Sequence, residues 1–335
     1  MESFEYYDQA CSALGVFLRP LLCSVKKEIK EQTQEIRLYS GEKPTLRCNG
    51  ELITLEALPA LSSQVINTVF ETMCEYSVYA HKNDIANGFV TLRGGHRAGI
   101  CGRAVSENDA VVTFTDISSI TIRIASCRKG CADKLINTAF SNGLCGVLIA
   151  GEPMSGKTTL LRDIAASLSS GITGRKLSVA VIDERNEIAA VRNAVPQFEG
   201  MSKCDIISGC TKSEGIMQAI RTVSPDVIIC DELSSEKDAQ AVRRCLNCSV
   251  PVIATVHASS FSQLAVRTVT KHLIDSGAFE KTVLLDGRMH PGKIKKIINT
   301  REIQNEIGSG SACISRDCFC GHGEEDGYRA ESKPA

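Results

Sequence analysis

The segment Gly151-Glu152-Pro153-Met154-Ser155-Gly156-Lys157-Thr158 has the spacing G-x-x-x-x-G-K-[ST]. Glycines at these positions let a loop turn tightly enough for successive backbone amides to face one anion, and a following helix adds the positive end of its dipole. In such a loop Lys157 reaches the outer phosphates of a nucleoside triphosphate, and Thr158 offers a hydroxyl to Mg²⁺. The candidate phosphate-binding set is this segment with Thr159. A glycine-rich turn before an ordinary helix would share the spacing, but matching acids stand downstream.

Those acids close the apolar run Val227-Ile-Ile-Cys-Asp231-Glu232. Asp231 is suited to hold Mg²⁺ through water and Glu232 to orient and polarise an attacking water, because phosphoryl transfer asks mainly for positioning and charge neutralisation. A further acidic cluster, Asp183-Glu184-Arg185-Asn186-Glu187, ends another apolar run, and Asp183 and Glu184 join Glu232 as catalytic candidates. His257 ends Ala254-Thr255-Val256-His257. A histidine at a strand end is most often structural, but a shared edge with the acids gives it a route to the γ-phosphate. Transition-state charge also calls for an arginine. Arg185, Arg221, Arg243 and Arg244 are candidates that spacing does not rank, and Arg221 completes the catalytic set.

These residues need an element pattern that brings them to one edge. Apolar runs at 146–150, 177–182, 227–230, 252–256 and 282–285 alternate with helices expected to open near Lys157, Ser213, Ser235 and Ser260, the serines serving as caps. That alternation predicts a parallel sheet covered by helices, with ligands at its carboxyl edge. Upstream, apolar spacing over 12–30 predicts a helix that Pro20 kinks or divides. Strands are expected at 35–39, 45–48 and 51–55, with Asn49-Gly50 as a hairpin turn, then a helix from Ser63 and strands at 89–92, 98–105, 111–115 and 120–124. Residues 1–125 thus read as an α+β domain and 126–307 as the nucleotide domain. Residues 308–335, rich in Gly, Ser, Glu and Asp, read as a disordered tail. Arg93-Gly-Gly-His-Arg97 reads first as a solvated hairpin tip, with contact to an anion or a neighbouring subunit as the alternative.

At 335 residues the chain has room for two cores. With 43% hydrophobic and 23% charged residues it is globular in type, and no apolar run approaches the roughly 18 residues of a membrane span. A leader carrying Glu2, Glu5 and Asp8 is unlike a secretory signal, so a cytoplasmic protein is expected. Net charge of −1, no Trp and 5% aromatic residues argue against a nucleic-acid motor, and Lys293-Ile-Lys-Lys296 reads as the solvated face of a terminal strand. The 16 cysteines are scattered, which favours reduced thiols over a disulfide framework. Cys245-x-x-Cys248 with Cys318-x-Cys320-x-His322 is a weaker metal-site reading.

Several of these segments together resemble the stage III sporulation protein AA family, within the type II/type IV secretion ATPase superfamily, from residue 35 to about 305. They are Gly151 to Asp163, Val181 to Ile188, Ser224 to Glu232, Thr255-Val-His-Ala258, Gly94-Gly-His-Arg97 and Cys101-Gly-Arg-Ala-Val105. The resemblance implies an acidic box at Asp183, Glu184 and Glu187, a Walker B glutamate at Glu232 and a histidine box at His257. This chain departs from the superfamily pattern in having Asp231 where glycine is common and Arg185 where proline is. The resemblance further implies a RecA-like P-loop NTPase sheet after a smaller α+β domain, with ATP and Mg²⁺ as cofactors. It also implies a homo-oligomer, a hexameric ring, working at the membrane of the mother cell. There it would support the mother cell–forespore channel of endospore formation, with integral membrane proteins as partners.

Overall fold

The computed structural model describes residues 3–107, 110–125, 127–172 and 174–303. The expected tail at 308–335, with Cys318, Cys320 and His322, lies outside the described residues.

Helices α1 (Ser3–Cys11), α2 (Gly15–Cys23) and α3 (Lys27–Gln32) open the chain, followed by strands β1 (Thr33–Tyr39), β2 (Thr45–Cys48) and β3 (Glu51–Thr54). Next come α4 (Ser63–Met73), α5 (Lys82–Ala86), β4 (Phe89–Thr91), β5 (Arg97–Glu107) and β6 (Ala110–Arg123). The strands form an antiparallel sheet in the order β3-β2-β1-β6-β5-β4. Helix α4 shows why its sequence is helical: Ser62 caps its first turn by accepting from the Val65 amide, and Ile66, Val69, Phe70 and Met73 recur on one face. That face packs with Leu14, Leu18 and Leu22 against Ile36, Leu38, Ile120 and Ile122 of the sheet.

Two expectations change here. Pro20 lies inside α2 and does not divide it; the breaks fall at Gly15, whose φ is 75°, and between Cys23 and Lys27. The proline removes a donor from the Val16 carbonyl, but Val16 is 96% exposed and water can replace that donor. The strands expected at 111–115 and 120–124 are one strand, β6. Asp116 adopts φ 47° within it, and the β5 register shifts between Cys101 and Arg103. A Cβ at the intervening Gly102 would lie 2.7 Å from the Thr115 carbonyl, so the bulge depends on glycine.

The second sheet begins after α6 (Asp133–Ala139) with β7 (Val147–Gly151), α7 (Lys157–Ser170), β8 (Val179–Asp183) and β9 (Asp205–Ser208). It continues through α8 (Lys212–Thr222), β10 (Val227–Cys230), α9 (Glu236–Asn247) and β11 (Val252–His257). Helices α10 (Phe261–Val266) and α11 (Thr268–Asp275) precede β12 (Lys281–Leu285) and β13 (Ile294–Asn299). The order is β13-β12-β7-β11-β10-β8-β9, parallel except where β13 pairs with β12. Alternate residues of each central strand feed opposite cores. Val147 and Ile149 pack with Leu160 and Ile164 of α7, whereas Leu148 and Ala150 pack with Ile216 of α8 and Val242 of α9. Strands buried on both faces read as continuous apolar runs, as these do.

Ser235 and Ser260 cap α9 and α10 as expected, but α8 is capped by Thr211, which forms a reciprocal pair with Glu214. Ser213 falls inside the first turn. The Arg93–Arg97 turn also departs from its expected solvated state. His96 is fully buried, its Nδ1 accepting from the Ala125 amide at 3.1 Å. Gly94 donates its amide to Gln197 Oε1 at 3.1 Å, and a Cβ at Gly95 would collide with the Phe198 ring. Gly94 and Gly95 have φ of 80° and 78°, which lets the turn approach that closely. The turn is therefore a joint between the two sheets.

Candidate nucleotide site

Strand β7 ends at Gly151 and α7 begins at Lys157, so the intervening loop lies at the carboxyl edge of the parallel sheet. Met154 and Gly156 have φ of 66° and 88°, which curls the loop back on itself. A Cβ at Gly151 would collide with Ser155 Oγ, and one at Gly156 with the Gly292 amide nitrogen. Gly292, in the β12–β13 turn, donates to the Ser155 carbonyl at 2.8 Å and braces the loop from behind. The first amides of α7 have no carbonyl within their own helix to bond. Ser155 Oγ is buried without a protein partner.

Lys157 is 7% exposed, and its ammonium donates to the carbonyls of Gly151 at 2.9 Å and Glu152 at 2.8 Å. Burial pushes its pKa down, while Asp231, Glu232 and Glu152 oppose that shift. Lys157 Nζ also lies 3.0 Å from His257 Nδ1, and His257 Nε2 lies 3.1 Å from Glu232 Oε2. A neutral imidazole with its proton on Nε2 satisfies both contacts, accepting from the lysine and donating to the glutamate. Thr158 Oγ1 donates to Asp231 Oδ2 at 3.3 Å, and Thr255 Oγ1 donates to Asp231 Oδ1 at 2.7 Å. The Glu232 amide donates to Thr255 Oγ1 at 3.0 Å. Lysine, hydroxyl, two acids and histidine thus converge from β7, β10 and β11.

A cleft of about 130 Å³ opens beside them, walled by Asp183, Glu184, Glu187, Lys212, Asp231 and Glu232. Asp183 is 1% exposed and accepts from the amides of Glu187, Ile188 and Ala189 at 2.7 to 3.0 Å. Burial pushes its carboxyl pKa up, against the pull of those amides. Asp183 is thereby a clamp on its own loop. Glu184 ion-pairs with Lys212, and Glu187 with Arg97. The exposed Arg185 also lines the cleft. Arg221 is not brought to this edge. Helix α8 leaves it at Lys212, and at about 1.5 Å per residue Arg221 lies roughly 14 Å along the axis. A larger groove, about 690 Å³, runs between α8 and α9 and includes Arg221 and Arg244. Of the converging set, Asp231 and Glu232 line the smaller cleft.

The residues present fit a magnesium nucleoside triphosphate: the loop is a cradle that a Cβ would fill, and Thr158 and Asp231 supply the hard oxygen ligands that Mg²⁺ takes. The profile of the family described as sporulation stage III, protein AA, matches residues 5–305. The chain belongs to that family. Stage III sporulation protein AA of Bacillus subtilis (strain 168) is 35% identical to this AA-family chain over 278 residues, 81% of the chain and 89% of that protein. Among solved structures, the Legionella pneumophila ATPase DotB superposes with a TM-score of 0.52 at 15% identity, covering 85% of this chain and 84% of DotB. The pilus retraction motor PilT, solved with bound ADP, gives a TM-score of 0.53 at 16% identity, covering 86% and 88%. The AA-family chain shares with them the P-loop NTPase fold of the secretion ATPases, its parallel sheet covered by helices and preceded by a smaller α+β part.

Sequence reasoning passes over two residues of the AA-family site. Thr255 has a readable signal: it is a hydroxyl in an apolar strand whose register sets Ala254 beside Cys230, hence Thr255 beside Asp231. Arg162 has none, since a charged residue on a helix is ordinarily solvated. Here its guanidinium is buried, donating to the carbonyls of Ile188 at 2.9 Å and Glu187 at 2.6 Å and lying 3.7 Å from the Phe198 ring centroid. Burial lowers its pKa to about 10.

Proposed function

We propose that this protein is a Mg²⁺-dependent ATPase that acts as a hexameric homo-oligomer in endospore formation, driving assembly or transport at the mother cell–forespore channel. The observation that carries the reading is the convergence of Lys157, Thr158, Asp231, Glu232 and His257 on one phosphate loop. Lys157 and the unpaired amides at the start of α7 bind and orient the phosphates. Bound Mg²⁺ would neutralise charge on the outer phosphates, held by Thr158 and Asp231. Glu232 orients the attacking water and accepts its proton, while His257 holds the Glu232 carboxylate in place. Asp183 and Glu184 act at one remove, fixing and lining the acidic wall. Arg221 would act only across a subunit boundary.

Among the described residues no helix is long and apolar enough to cross a membrane. We infer that the partners are integral membrane proteins of the channel, met from the cytoplasmic face, with no nucleic acid involved. One contact favours a second reading. His257 engages both Lys157 and Glu232, so nucleotide must compete with it, as in a scaffold whose assembly is nucleotide-gated and whose turnover is slow.

The test is magnesium-dependent ATP hydrolysis by purified protein across a concentration series, with mass followed by light scattering and with Lys157→Ala alongside. We expect specific activity to rise as the ring assembles and to vanish in the variant. Binding without turnover at every assembly state would sink the motor and leave the scaffold.

A further inference from the structure

The loop at 184–199 leaves β8 at the acidic cluster and returns after touching the other sheet. It is held from three directions. From β8, Asp183 accepts the amides of Glu187, Ile188 and Ala189. From α7, the helix that begins at the phosphate loop, Arg162 holds the carbonyls of Glu187 and Ile188 and faces the Phe198 ring. From the first sheet, Gly94 donates to Gln197, Arg192 donates to the Thr91 carbonyl at 3.3 Å, and Arg97 ion-pairs with Glu187. The Asp183 and Arg162 contacts lie within the nucleotide sheet. Two pairs of opposite charge cross the joint, Arg97–Glu187 and Arg192–Glu75 at 3.0 Å, and of these the first is anchored on the stretch that lines the cleft.

We propose that Arg97 and Glu187 form a latch across the two sheets, in which Arg97 is a positioning residue that fixes the acidic wall of the cleft and is not a phosphate ligand. The surroundings of Arg97 support this. Its guanidinium lies 3.7 Å from the Phe89 ring centroid, and its side chain is 27% exposed against 30% for Glu187, so the pair is screened from water more than a surface pair would be. Arg97 stands directly opposite Arg123 in the β5–β6 register, and Arg123 and Arg185 both act on it as like charges. Like charges paired across strands are unfavourable, and Glu187 is the anion that offsets them, with the half-buried Asp84 adding to it. Releasing Glu187 would leave Arg97 facing Arg123 and Arg185 with less compensation and the loop at Glu187 held by Asp183 and Arg162 alone. Glu184 and Arg185, which line the cleft, sit three and two residues before Glu187. Their position therefore follows from the latch.

The consequence for turnover rests on the ATPase reading; the latch itself does not. The experiment is backbone hydrogen exchange on the full chain for wild type, Arg97→Glu, Glu187→Arg and the doubly swapped protein, with ATP turnover and nucleotide affinity measured on the same samples. Arg97→Gln and Glu187→Gln serve if a charge reversal fails to fold. We expect exchange within 184–199 to rise about tenfold in each single variant and to return towards wild type in the swap, because local opening reports the free energy holding a segment closed. Turnover should fall and recover in parallel. Unchanged exchange in the single variants, or a swap that does not recover, overturns the latch. Loss of turnover in every variant lacking Arg97, with exchange unmoved, would make Arg97 a phosphate ligand. If wild type does not hydrolyse ATP, the ATPase reading fails, and the exchange data still decide the latch.

Discussion

His257 stands between the two residues on which the proposed chemistry turns, 3.0 Å from Lys157 and 3.1 Å from Glu232. Binding and water activation therefore belong to different side chains and separate by substitution. Glu232→Gln keeps the shape and removes the proton acceptor. It should lower turnover by about 10² to 10³-fold, in the range of general-base losses, and leave nucleotide affinity within about threefold. Fluorescent-nucleotide titration beside steady-state hydrolysis checks this, and a loss of affinity equal to the loss of rate would contradict it. At this scale the sequence is most informative where spacing encodes geometry. Gly151, Gly156, Lys157 and Thr158 follow one another along the loop, so their motif specifies the cradle directly. Asp183 shows the limit, because an acid at a strand end reads alike whether it faces a ligand or folds back onto amides four to six residues on. Chain direction after residue 184 decides between them, and no residue type announces that direction.

The elements differ in how much each depends on single side chains, and two substitutions bracket the range. Thr211→Ala removes the cap of α8 and its reciprocal pair with Glu214, which should cost about 1 kcal/mol. Phe198→Ala should cost about 3 to 5 kcal/mol, since Phe198 is 4% exposed in the core beside α7 and carries the face on which Arg162 rests. Urea unfolding followed by circular dichroism compares them, and equal costs would mean that the joint is not packed as described. The same contrast explains which elements are legible. Strands β7, β10 and β11 are buried on both faces and read as apolar runs, and α7 follows from its motif. Strand β9 is a four-residue edge strand whose pattern runs from exposed Asp205 to exposed Ser208, so periodicity carries no signal for it. Helix α1 buries only Tyr7, Ala10 and Cys11, too few for a stripe.

At the scale of the whole molecule, the two sheets meet at a histidine that folding keeps neutral. Burial, with the Arg162 charge nearby, lowers the His96 pKa from 6.5 to about 4. Well above pH 6.5 both folded and unfolded chains carry a neutral imidazole, and His96 contributes nothing to pH dependence. As pH falls below that value the unfolded chain takes up a proton that the folded chain refuses, so stability declines until about pH 4, by about 3 kcal/mol in all. Asp183 acts in the opposite sense: its pKa is raised, so the folded state binds that proton first and gains stability as pH falls. The total profile mixes these two with other shifted groups such as His81, Asp84 and Glu35, and a variant isolates one of them. Asn at position 96 keeps an acceptor for the Ala125 amide and does not titrate, so His96→Asn removes the histidine contribution alone. Wild type should be the more stable protein near pH 7.5, and its advantage should shrink steadily to about pH 4.5 as the penalty grows. Urea midpoints at half-unit pH intervals measure that difference. A difference that stays flat across the range would mean that His96 is protonated as readily folded as unfolded, and that water reaches the joint between the sheets.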